Sequence, residues 1–192
     1  MPPTTKITKE MILACGYELV KTNGIENINA RNIAKSLGCS TQPIYSQFPN
    51  MEELKQSIHD QACENFEQDV LNGDPSVSFL RSSYLKLVNL AKTQDKVFQL
   101  IFLSKYCKGE DFFHARMTFE SNQKIWNELK ATYQLDEKQC SDIMERISLL
   151  VHGIATLIAT SNMQYTEEQI ISIVENTLED IVAGMNERRL AT

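Results

Sequence analysis

Apolar residues recur at three- and four-residue spacing along nearly the whole chain, and no segment alternates apolar with polar residues long enough to build a strand. A chain patterned this way folds into amphipathic helices that each bury one stripe. The spacing predicts a first helix over about Thr8–Asn23, with Met11, Ile12, Cys15, Leu19 and Val20 on one stripe. Thr8 serves as its N-cap and Gly24 as a left-handed stop. A short helix follows from Asn29, with Ile33, Ala34 and Leu37 inward and Gly38 ending it, and another opens at Ser40 and ends near Phe48-Pro49. Asn50 with Glu53 makes a capping box for a longer helix, about 50–72. Asp74-Pro75 reads as N-cap plus first-turn proline of the next helix. The pattern resumes from Asp95 to about Tyr106 and from about Asp111 to Tyr133. Asp136 with Gln139, and Thr166 with Gln169, open two last helices, about Asp136–Ser161 and Thr166–Arg188. The expectation is an all-α protein of about nine helices.

Only 7 glycines and 5 prolines interrupt 192 residues, and no Gly/Ser linker separates two halves. The expected organisation is a three-helix domain over residues 1–50 and a larger helical bundle over 51–192, connected through the helix over about 50–72.

The second and third helices are parted by only Gly38-Cys39, and a glycine-containing turn of that length is a helix-turn-helix signature. Ala34 stands where the two helices cross, small enough for close approach. In the third helix Ile44 and Phe48 lie at i, i+4 and face the core, which leaves Thr41, Gln42, Tyr45, Ser46 and Gln47 outward, with Pro43 tolerated in the first turn. These outward groups form hydrogen bonds without carrying charge. A glutamine can bond an adenine edge bidentately, and hydroxyls can reach phosphates. Ser40 is expected to cap this helix. Arg31, in the first turn of the second helix, is a candidate phosphate ligand, and the backbone amides at the capping residues Thr8 and Asn29 can face phosphates too.

Ile33-Ala34, Leu37-Gly38-Cys39-Ser40, Ile44-Tyr45, Phe48-Pro49-Asn50 and Glu53-Leu54 together resemble the TetR-like transcriptional repressors. The resemblance is clear over about residues 8–55. Leu150-Val151-His152-Gly153-Ile154-Ala155 is a weaker echo, similar to the His-Gly segment of one family of TetR C-terminal domains. The resemblance implies nine helices with the DNA reader first, a duplex operator as partner, and phosphate contact by Tyr45. It also implies a basic residue after the capping serine, where this chain has Thr41, and a lysine on backbone phosphate, where it has Met51. Lys55, one turn on, is the nearest cation to take that place.

Charge is distributed to match. Residues 1–50 carry five basic residues against three glutamates, while the rest carries fourteen against twenty-two acids, giving −6 overall. What meets a polyanion is the local balance.

The later helices carry dense aromatics, and the resemblance implies a small-molecule pocket among them. The candidates are Phe66, Tyr84, Phe98, Phe102, Tyr106, Phe113, Met117 and Trp126, with His152 as a polar group. The expected ligand is small and largely apolar, neutral or cationic rather than anionic. The last two helices place Ile143, Ile147, Leu150, Ile154 and Leu157, and Val174, Leu178, Ile181, Val182 and Met185, at helical spacing. Stripes of this kind predict a homodimer closed as a four-helix bundle, with one stripe of each helix packed inside its own protomer.

The chain lacks a Gly-x-Ser-x-Gly elbow, a P-loop, a dinucleotide fingerprint, a zinc-protease motif and any Glu-x-x-His pair, so no enzyme, metal or cofactor is expected. The five cysteines include no Cys-x-x-Cys pair and are expected as reduced, mostly buried thiols. The apolar run around Ile147–Ile158 is broken by polar residues and falls short of a membrane span, and Met1–Lys6 has no apolar signal core. A cytoplasmic regulator is the expectation. The alternative reading is a helical protein-interaction module without specific DNA binding.

Overall fold

The computed structural model describes residues 7–107, 119–161 and 163–190. Among them are nine α-helices and no strand: α1 Lys9–Asn23, α2 Ala30–Leu37, α3 Gln42–Gln47, α4 Met51–Leu71, α5 Phe79–Thr93, α6 Asp95–Leu103, α7 Glu120–Tyr133, α8 Glu137–Ser161 and α9 Glu167–Leu190. A 3-10 turn, Ile25–Asn27, joins α1 to α2.

Most helix starts follow the capping chemistry. Thr8 Oγ1 accepts from Met11 N–H at 3.3 Å, and Asn29 Oδ1 accepts from Asn32 N–H at 3.0 Å. The Asp136/Gln139 box closes both ways, at 2.9 and 3.0 Å, and the Thr166/Gln169 box at 3.3 and 2.9 Å. Asn50 accepts from Glu53 N–H at 2.9 Å.

Three boundaries differ from expectation. α5 begins at Phe79 rather than at Pro75. Asp74 spends its carboxylate on Ser76 N–H at 2.8 Å, making a local turn, and Ser78 is the working cap, accepting from Arg81 N–H at 3.1 Å. Ser40 does not cap α3; Thr41 holds the N-cap position, without a side-chain cap bond, and its carbonyl accepts from Ile44 and Tyr45. Gly24 has positive φ, 74°, but ψ 165°, so it ends α1 outside the left-handed helical region, whereas Gly38, at φ 64° and ψ 33°, lies within it. The expected helical turns at Asp111–Thr118 lie outside the described residues.

The described residues pack as two compact units, one drawn from 1–66 and 94–108 and one from 67–93 and 109–192. In the first, α1 packs on α2, α3 and α6. Ile12, Val20, Ile33, Ile44, Leu54, Ile58, Val97, Phe98 and Leu100 are its most deeply buried large side chains. Gly16 allows a close approach, since a Cβ there would lie 2.4 Å from Ile58 Cδ1. Because Ile58 is itself fully buried, Gly16→Ala is expected to cost about 1–3 kcal/mol, read from urea unfolding.

In the second unit α8 is the central helix, packed on α5, α7 and α9. At 25 residues it is long and apolar enough to cross a membrane by length and composition, contrary to the expectation from unbroken apolar runs. Its apolarity has an internal use: Cys140, Ile143, Ile147, Val151, Ile154, Ala155 and Ile158 are buried in the unit. Of the five thiols, all outside disulfides, only Cys140 is fully buried; Cys15, Cys39, Cys63 and Cys107 are half-buried, each on a helix shoulder or turn.

Candidate nucleic-acid interface

α2, the Gly38-Cys39 turn and α3 form the candidate interface. Ala34, 4% exposed, closes the crossing of α2 and α3, and its carbonyl receives the Cys39 N–H at 3.0 Å. Ile44 and Phe48 turn inward at 1% and 3% exposure. With that face anchored, the helical period leaves Gln42, Tyr45 and Ser46 in solvent, Tyr45 at 55% exposure, with Thr41, Pro43 and Gln47 half-buried at the margins. Ser46 Oγ is engaged within α3, donating to Pro43 carbonyl at 2.7 Å. Gln42 and Tyr45 are therefore the long polar side chains that α3 presents outward.

Arg31 and Ser40 are exposed, and Lys55 is half-buried on α4. The side chains of Thr8 and Asn29 are committed to capping, so only backbone groups at those ends remain for a phosphate. Lys9 Nζ sits 5.2 Å from the Phe48 ring centroid and ties the start of α1 to the end of α3.

Periodicity did not reveal a polar latch on the first turns of α4. Glu52 accepts from Lys105 at 2.9 Å and from Tyr106 Oη at 3.3 Å, while Gln56 Nε2 donates to Tyr106 carbonyl at 3.4 Å. Lys105 holds the Glu52 carboxyl below its ordinary range, and burial, then Glu52, push the Tyr106 hydroxyl up. The latch ties the segment after α6 to the helix that follows α3. Residues fifty apart in sequence meet here, and no local pattern signals that.

The candidate pocket residues separate. Phe66, Phe98 and Phe102 cluster in the first unit, with ring centroids 5.6 Å apart for Phe66–Phe102 and 5.0 Å for Phe98–Phe102, and Tyr106 belongs to the same unit. Tyr84, Trp126 and His152 belong to the second unit, while Phe113 and Met117 lie outside the described residues.

The candidate dimer residues also divide. Ile143, Ile147, Ile154, Val174, Leu178 and Met185 are at most 7% exposed within the single chain. These six are buried within their own protomer, where a side chain offers a mate little further apolar area. Leu157, at 41%, remains outward, and Leu150, Ile181 and Val182 are half-buried. Leu149, at 57%, joins that set, a neighbour of Leu150 that lies outside the helical spacing of the predicted stripe.

No protein-family model matches the chain, and no curated protein matches it. Solved structures do. A TetR-family transcriptional regulator from Streptomyces coelicolor is 14% identical, with a TM-score of 0.70 over 95% of this chain and 84% of that one. A substituted TetR from Acinetobacter baumannii AYE, in complex with minocycline, is 17% identical, with a TM-score of 0.60 over 96% and 99%. A TetR-like transcriptional regulator from Rhodococcus sp. RHA1 is 15% identical, with a TM-score of 0.57 over 95% and 94%. The chain has the fold of the TetR-family transcriptional regulators.

Proposed function

We propose that the chain is a DNA-binding transcriptional regulator, a repressor that grips a near-palindromic operator as a homodimer and is released by a small, largely apolar ligand. The observation that carries the reading is α3: a short helix with two side chains locked in a core and Gln42 and Tyr45 held outward on the opposite side. Gln42 reads a base edge, Tyr45 and Arg31 take phosphates, and Lys55 partly supplies the charge that Met51 does not.

The exposed apolar residues of α8, with their half-buried neighbours on α9, support a four-helix dimer contact. A twofold would place two α3 helices about 34 Å apart, on successive turns of one duplex face. α4 runs unbroken from Met51 to Leu71, and α6 packs on α1, so movement of either helix reaches the reader without passing through a flexible linker. A ligand that favours badly spaced readers lowers operator affinity by its differential binding. The fold's occurrence in a minocycline-bound relative is consistent with such a switch.

Footprinting on the DNA flanking the protein's own coding region tests the reading. Gln42→Ala is expected to cost about 1–3 kcal/mol at the cognate site and to relax one or two base pairs, while Tyr45→Phe weakens all sequences alike. A protein that binds its best site no better than random duplex would instead favour the interaction-module reading, which the sparse basic charge around α3 motivates.

A further inference from the structure

In the second unit α5, α7 and α9 frame a cleft of about 230 Å³. Its polar wall is lopsided. Glu128 of α7 and Glu175 and Glu179 of α9 line it against one cation, Arg81 of α5. That cation is spent: Arg81 Nε and Nη2 both reach Glu175 Oε1, at 2.6 and 2.5 Å, and Tyr84 Oη donates to the same oxygen at 3.3 Å. Among the described residues no cation pairs with Glu128 or Glu179. Glu128 is fixed in place by the Phe79 N–H, 2.7 Å from its Oε2.

The cleft therefore holds two uncompensated negative charges beside an apolar floor that includes the buried Leu129 and Val174. Tyr133 registers the field: burial and then Glu179, Glu175 and Glu128 push its hydroxyl upward. An anion would meet three carboxylates and a guanidinium already paired with one of them. A bare metal ion has no cage either, since no three carboxylates of the described residues converge on one point. What fits is a charge spread over a body, with the cation toward the glutamates and carbon toward the floor.

We propose that this cleft binds a small organic ammonium ion. The proposal concerns binding alone and does not rest on the regulatory reading above.

The test titrates phenethylammonium chloride into the full-length protein by calorimetry, with phenylacetate as the probe of similar shape and opposite charge. Saturable binding of one ammonium per chain is expected, at least about tenfold tighter than phenylacetate. Glu179→Gln, an exposed position, should weaken it by about five- to tenfold without moving the thermal midpoint. Glu128→Gln keeps an acceptor for Phe79 N–H and should weaken it likewise. No saturable binding up to about 10 mM, equal binding of phenylacetate, or binding indifferent to both substitutions would each overturn the proposal. An operator gel-shift run in parallel separates the two ideas. Ammonium binding that needs Glu179 but leaves operator affinity unchanged upholds the cleft and removes it from the switch. Ammonium binding by a protein that holds no operator upholds the cleft and sinks the regulatory reading.

Discussion

A Leu149→Glu, Leu157→Glu double variant is expected to sediment as a monomer and to lose at least about a hundredfold in affinity for a palindromic operator. Both residues are exposed, at 57% and 41%, so the protomer's own core does not depend on them. At i and i+8 on α8 they fall on the same side of the helix, within a third of a turn of each other and close to Leu150. Two carboxylates on each copy of such a face would meet their own images across a twofold, uncompensated and desolvated. The operator effect follows from linkage. Two readers on one body bind the second half-site at a high effective concentration, and a monomer forfeits that gain without losing a contact to DNA. Sedimentation velocity and a gel-shift check both parts. A variant that stays dimeric with full helix content would move the interface away from α8.

Phe98→Ala should cost about 3–5 kcal/mol in urea unfolding. Phe98 is fully buried, and its ring lies 5.0 Å from that of Phe102, which meets Phe66 edge-on. Truncation removes the aromatic packing and leaves a hole in the core of that unit. Operator binding should fall with stability, because α6 packs on α1 in the unit that carries α3. A loss below about 1 kcal/mol would mean that the site collapses at little cost and that the cluster is loosely packed.

Helices with local signals were legible, and those set by distant packing were not. Thr8, Asn29, Asn50, Asp136 and Thr166 mark their helix starts because a cap is a bond between near neighbours. Asp74-Pro75 carries the same letters but closes a turn, and Phe79 N–H finds Glu128, 49 residues on. The outward set on α3 was legible because burying Ile44 and Phe48 leaves the helical period one answer. The aromatic density of the middle helices was legible too, but periodicity is silent on which neighbour an apolar stripe meets. Phe98 and Phe102 pack in the unit of the helix-turn-helix, and Tyr84 lines a cleft in the other. The apolar stripes of α8 and α9 read alike from every side until burial separated Ile143 and Val174 from Leu149 and Leu157.

The return of α6 to the unit of α1 orders events during synthesis. A nascent chain that has completed α3 and most of α4 still lacks the segment that covers α1 and latches Glu52. It must first make all of α5, which belongs to the other unit. Until residues near Tyr106 have emerged, Ile12, Val20 and their neighbours have only part of their cover, and the helix-turn-helix exposes apolar surface. Long-range closure of this kind slows folding relative to a self-contained three-helix domain. In return, a prematurely terminated chain ending before α6 would carry α3 without a complete core beneath it, the kind of exposed apolar surface on which chaperones and proteases act.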